Sequence, residues 1–123
     1  NGIVDVRDVA DAHVAAASNP QANGRYIICG GSLSLLEMGK ALTKRFGYKY
    51  PFPHFTVPKS AFGVIAPVLG YSRQFVRLNM GYPIYFNAER SVKELGVEYR
   101  DIKESVCEHF QQLLDDGIVK KYI

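Results

Sequence analysis

An α/β fold of few short strands packed with amphipathic helices is what this sequence predicts, and three observations predict it. Residues 1–29 change from alternating to helical spacing and back, reading as strand, helix, turn, strand. Two later stretches, Ser34-Leu35-Leu36-Glu37 and Asp101-Ile102-Lys103-Glu104, have the form of capping boxes that open helices. Gly47, Gly96 and Gly117 stand where helical spacing runs out, the usual place for a helix-ending glycine. The 123 residues suffice for one domain, 1–123, burying roughly two-thirds of the surface its unfolded chain exposes.

In chain order, Val4 and Val6 first alternate with Asp5 and Arg7 as a short strand, after which Asp8 is read as the cap of a helix carrying Val9, Ala12, His13 and Ala16 on one face. Asn19-Pro20 ends that helix, because the residue before a proline is pushed out of the helical region. Residues 24–29, from Gly24 to Cys29, form the next strand. The helix opened by Ser34 presents Met38, Ala41, Leu42 and Phe46 along one apolar face. Residues 48–58 interleave Pro51, Pro53 and Pro58 with aromatics, so they run extended or in turns with few ladder hydrogen bonds. Pro58 fits the first turn of a helix to about residue 69, and Ser72 can cap another containing Phe75, Val76 and Met80. Pro83-Ile84-Tyr85-Phe86 reads as a short strand, and Asn87 caps a helix ending at Leu95. The last helix buries Ile102, Val106, Phe110, Leu113 and Leu114.

Composition excludes several classes. The formal charge of +3 is mild and Lys and Arg are scattered, which gives nucleic-acid binding little support. The longest apolar run, 61–69, is far short of a membrane span and is broken by Gly63 and Pro67; with no signal-peptide pattern either, neither membrane insertion nor secretion is expected. Cys29 sits in an apolar strand and Cys107 in a helix, with no C-x-x-C pair and no cluster at zinc-ligand spacing, so two reduced, buried thiols in a cytoplasmic protein are expected, and no metal site.

The layout Val4-Asp5-Val6-Arg7-Asp8-Val9-Ala10-Asp11-Ala12-His13, followed by Gly24-Arg25-Tyr26-Ile27, resembles the C-terminal half of extended short-chain dehydrogenase/reductases. Within them the likeness is to the NAD-dependent epimerase/dehydratase family, especially the dihydroflavonol reductase and cinnamoyl-CoA reductase group. The tail resembles the same family: Phe86-Asn87, a short helix ending in Leu95-Gly96, the link Val97-Glu98-Tyr99-Arg100, then a long helix. Both ends of the chain carry the resemblance, while residues 48–81 match only loosely.

Such a resemblance implies the C-terminal lobe of a Rossmann-type reductase, α+β as an isolated fragment, that shapes the substrate pocket. The glycine-rich dinucleotide loop and catalytic Tyr-x-x-x-Lys of the family lie upstream of this segment. A start at Asn1 without Met fits a fragment. NAD(P) is then expected in the intact parent and no cofactor for this chain alone, which should be inactive. Its partners would be the missing Rossmann half and, in the parent, a small-molecule substrate. An epimerase/dehydratase parent is the nearest variant. A free-standing α/β binding or assembly module, a homo-oligomer through exposed sheet edges and apolar surface, is the reading from a different class.

Several motifs have a plain explanation beside the functional one. Tyr99-Arg100-Asp101-Ile102-Lys103 spells Tyr-x-x-x-Lys, but the pair must share a helix face and Asp101 should cap the helix, leaving Tyr99 outside it; it reads as a decoy. Cys29-Gly30-Gly31-Ser32 could cradle phosphate with backbone N–H groups, yet two glycines after a strand more often make a tight turn. Asp8 and His13 are spaced onto different helix faces, so they are not an acid–base pair; a half-buried His13 with one hydrogen-bond partner is expected. No catalytic residue can be named. Tyr71, Arg73, Gln74, Arg77 and Tyr82 form a basic, aromatic set around one helix. Its plain explanation is a solvated face with aromatic packing; its functional one is substrate binding, arginine being suited to phosphate or carboxylate.

Overall fold

The structure, a computed structural model, describes residues 1–56, 58, 61, 67, 70, 72, 74, 78 and 84–120. Its first element is a very short strand, β1 (Gly2–Ile3), followed by α1 (Val6–Ser18). Next come β2 (Gly31–Ser32), α2 (Leu35–Phe46) and a 3-10 turn (Gly47–Lys49). Two helices close the described chain, α3 (Glu89–Leu95) and α4 (Ile102–Asp115). β1 and β2 pair antiparallel, Gly2 opposite Ser32 and Ile3 opposite Gly31. The described fold is therefore mostly helical with a two-stranded sheet.

Helix α1 starts earlier than its sequence spacing suggests. Asp5, not Asp8, is its cap, the carboxylate accepting from Arg7 N at 2.9 Å. That leaves Asp8 one turn inside, where it is buried with Ala12 on the inner face. His13 is exposed, its Nδ1 2.7 Å from Val9 O, because the buried face follows Asp8 and Ala12 and not Val9 and His13.

The strand expected over 24–29 has no ladder among the described residues. Its backbone is held by side chains instead: Arg90 donates to the carbonyls of Asn23 and Arg25 at 2.7 and 3.1 Å, and Cys29 N donates to the Tyr99 hydroxyl at 3.3 Å. Pairing falls two residues later because the main-chain bonds of Ile3 are taken by Gly30 and Gly31. Residues 84–86 likewise run without a ladder, Ile84 O accepting the Ser32 hydroxyl at 2.7 Å; Pro83 lies outside the described residues. The two helices expected between 58 and 80 fall largely outside them too, Ala61, Gln74 and Leu78 having helical backbone.

Capping chemistry places the other helices. Ser34 and Glu37 close a complete box: the Ser34 hydroxyl accepts from Glu37 N at 3.2 Å while Glu37 accepts from Ser34 N at 2.8 Å. The bonds that the carboxylate accepts, from Ser34 N first and then from the Ser34 hydroxyl at 2.7 Å, hold the Glu37 carboxyl below its ordinary pKa. The N-cap of α3 is Ala88 and not the expected Asn87, whose Oδ1 accepts from Glu89 N at 2.9 Å from one residue earlier. Gly96, at φ 66°, ends the helix in the left-handed conformation that a side chain would resist. Asp101 caps α4 through Lys103 N and Glu104 N, but its expected box is only half made. Glu104 turns outward to pair with Arg45 of α2.

The core joins α2 to α4 and α1 to α3. Phe110 lies at the centre of an aromatic cluster, its ring 4.9 Å from Phe46, 5.1 Å from Tyr50 and 5.0 Å from Phe52, edge to face in each case. Cys107, on the same helix, is buried, and burial pushes its thiol pKa up. Both cysteines are free.

Chain 50–53 reaches this cluster by passing directly over Gly39. A Cβ at Gly39 would meet the Pro53 carbonyl oxygen, with Pro53 Cγ at 2.8 Å and Cδ at 2.9 Å. Gly39→Ala should gain up to ~1 kcal/mol in helix propensity and lose ~1–3 kcal/mol to overpacking against backbone. The lost packing wins, so urea denaturation should show a lower midpoint; a raised midpoint would mean that Pro53 does not press on α2.

Candidate functional site

Of the five residues expected to bind substrate, Tyr71, Arg73, Arg77 and Tyr82 lie outside the described residues, and Gln74 is helical and exposed. What the described residues do assemble is a set of buried polar ties around the sheet and an apolar hollow beside it. The ties are three.

The first crosses from α1 to the link before α4. Asp8 is fully buried, at 0% exposure, and accepts from Arg100 N at 3.0 Å while its other oxygen pairs with the Arg100 guanidinium. Asp11, one turn along, lies 3.4 Å from the same guanidinium. A buried carboxylate is stable only when its charge and lone pairs are met, and this one receives a charged donor and a backbone amide. Nothing in local spacing distinguishes it from a cap; its partner is 92 residues away.

Asp5 makes the second. Arg7 reaches it with Nε at 2.8 Å and a terminal nitrogen at 2.7 Å, a forked pair, and Ser105 of α4 donates at 2.7 Å. Arg7 also meets Glu108 at 2.5 Å. The hydrogen bonds from Arg7, then that from Ser105, hold the Asp5 carboxyl well below the usual carboxylate range, and the two carboxylates raise the Arg7 pKa.

The third is the Tyr99 hydroxyl, 2.7 Å from Ser91 Oγ and accepting from Cys29 N. Tyr99 precedes α4, so it cannot share a helix face with Lys103, and its hydroxyl is occupied in joining α3 to the chain at Cys29.

The glycine turn at 29–32 is equally committed. Gly30 N donates to Ile3 O at 2.9 Å, Gly31 and Ser32 pair with β1, and Ile102 packs so close that a Cβ at either glycine would come within 3.0 Å of it. These glycines admit a side chain of α4. Among the described residues, no group of three or more His, Cys, Asp or Glu is placed to hold a metal ion. No described helix is long and apolar enough to cross a membrane.

Beside the sheet lies a hollow of about 280 Å³ walled by Ile3, Val4, Ile27, Ile28, Cys29 and Phe86. Gly2 lets the Phe86 ring close over it. Ile27, Ile84, Tyr85 and Phe86 around it are all exposed by about half or more. Exposed apolar surface was expected from the sequence without a location; the apolar runs at 26–28 and 84–86 were the signal that could have placed it.

The chain is 31% identical over 114 residues to cinnamoyl-CoA reductase 2 of Arabidopsis thaliana, covering 93% of this chain and 29% of that protein. Cinnamoyl-CoA reductase 1 of Petunia hybrida is 27% identical over 114 residues, again 93% of this chain. An anthocyanidin reductase ((2S)-flavan-3-ol-forming) of Vitis vinifera is 44% identical over 50 residues, 40% of this chain. The likeness is to reductases. The chain spans less than a third of the length of these relatives. No family model matches, and no solved structure matches.

The Asp5 tie has a definite pH signature. Its native pKa is depressed below the unfolded value of about 3.9, so it stabilises the fold above that pH and the contribution is lost as pH falls through about 4 toward the native pKa. Glu37 and Glu94 are lowered too and act with the same sign. Thermal unfolding between about pH 6 and 3 should show a falling midpoint, and Asp5→Asn should flatten that fall. An unchanged slope would remove Asp5 as a contributor.

Proposed function

We propose that this chain is the C-terminal, substrate-binding portion of an NAD(P)-dependent oxidoreductase of the extended short-chain, dihydroflavonol reductase-like type. The intact parent would exchange hydride between nicotinamide and a carbonyl or hydroxyl carbon of a small-molecule substrate. The observation that carries this is the 114-residue match to a cinnamoyl-CoA reductase along 93% of the chain.

Two structural features support the division of labour. The glycine turn has committed backbone groups to β1 and Tyr99, and the Tyr99 hydroxyl is occupied away from Lys103. Cofactor and catalytic groups are therefore assigned to other residues of the parent, and the apolar hollow by β1 and β2 is the surface it would cover. Substrate recognition is assigned to the set Tyr71, Arg73, Gln74, Arg77 and Tyr82. The exposed apolar residues around that hollow also favour a second reading, an assembly module that pairs with its own copy; concentration-dependent sedimentation would support it, and a strict monomer would remove it.

In the intact parent, Arg77→Ala should raise KM about tenfold, the equivalent of ~1.4 kcal/mol, with kcat largely kept, because a group that holds the distal part of the substrate binds ground and transition states alike. Steady-state kinetics with the parent's carbonyl substrate would show it. An unchanged KM would remove Arg77 from recognition, and a parent with no nicotinamide-dependent activity on any carbonyl or alcohol would overturn the reductase reading.

A further inference from the structure

Charge is divided unevenly along this chain. Its cations are scattered, but its carboxylates are not: residues 38–88 contain none of the 12 Asp and Glu and yet carry seven of the 15 Lys and Arg. Within that span, on the flank of α2, the structure forms a concavity of about 450 Å³ lined by Lys40, Thr43, Lys44, Tyr48 and His54, with no carboxylate in its wall.

Lys40 and Lys44 are one turn apart and share a face, an arrangement of like charges that costs an isolated helix a few tenths of a kcal/mol. Neither enters any ion pair among the described residues. Glu37, which feels Lys40, is already committed to the Ser34 amide and hydroxyl. The helix dipole accounts for Lys44 and Arg45 in the last turn, and Arg45 is further taken by Glu104. It does not account for Lys40, nor for His54, which lies beyond the helix and is exposed. The Tyr48 and His54 rings stand 5.2 Å apart as one wall of the concavity.

The geometry points to an anion site here, and we propose that the concavity holds a phosphate ester or pyrophosphate. Two lysines one turn apart on α2 line the concavity beside the Thr43, Tyr48 and His54 side chains, and ammonium point charges suit a compact, multiply charged phosphate. A carboxylate is better matched by an arginine fork, and Arg45 is already engaged. The site is independent of the reductase reading.

The test is calorimetric titration of the 123-residue chain with inorganic pyrophosphate at low ionic strength, beside sedimentation with phosphatidylcholine vesicles with and without phosphatidylinositol 4-phosphate. The variant is K40Q/K44Q; the control is K93Q, whose lysine pairs with Glu89 on α3. Saturable binding is expected, at least tenfold weaker in K40Q/K44Q, unchanged in K93Q, and weakened by added salt. Pyrophosphate binding identifies a soluble phosphate as the ligand; binding only to the phosphoinositide vesicles, with the same loss in K40Q/K44Q, identifies a lipid headgroup. Absence of both, or equal affinity in K40Q/K44Q, would overturn the proposal.

Discussion

The buried charge of Asp8 is the constraint on which the rest of this structure depends. A carboxylate at 0% exposure must be neutralised and hydrogen-bonded where it lies, and both needs are met by one residue of the link before α4, Arg100. Tying that link to α1 sets the positions of the residues on either side of Arg100. Tyr99, one residue earlier, is thereby placed to bond Ser91 and Cys29, and Ile102, two residues later, to pack on Gly30 and Gly31. The two ends of the chain, the parts whose resemblance to reductases was legible from sequence, are in this way one physical unit.

That unit explains why a sheet of only two paired residues per strand persists. Two-stranded ladders are marginal by themselves; here Asp5 joins the chain just after β1 to Ser105 of α4, and Ile102 covers β2. Polar ties replace ladder bonds along residues 23–29, leaving the Ile27 and Ile28 side chains on the wall of an open hollow. On the proposed function, that hollow is where a nucleotide-binding half would complete the sheet.

Local chemistry was legible wherever it was closed locally. The Ser34–Glu37 box and the Gly96 stop arise from residues within one or two turns and were readable from spacing, whereas of the expected α4 stripe only Leu114 is buried, joined by Cys107. Asp5 and Asp8 were not separable that way: both are aspartates at a helix start, and only Arg100, distant in sequence, makes one a cap and the other a buried charge. Glu104 has the right place for a capping box but is drawn off by Arg45 from another helix. Tyr26, Ile27 and Ile28 have strand composition, yet a strand needs a neighbour, and Ile3 is spent on Gly30 and Gly31. As for the candidate sites, the Arg73 and Arg77 set lies outside the described residues. The cation-rich flank of α2 is marked in the sequence by no run of cations, only by the absence of carboxylates over residues 38–88.

A double-mutant cycle on Asp8 and Arg100, read by chemical denaturation, tests the central tie most directly. If the two side chains act as one buried unit, Asp8→Ala and Arg100→Ala should each lower stability, and the double variant should be little worse than Asp8→Ala alone, a clear departure from additivity. Additive losses would contradict the tie, and with it the coupling of the two ends of the chain.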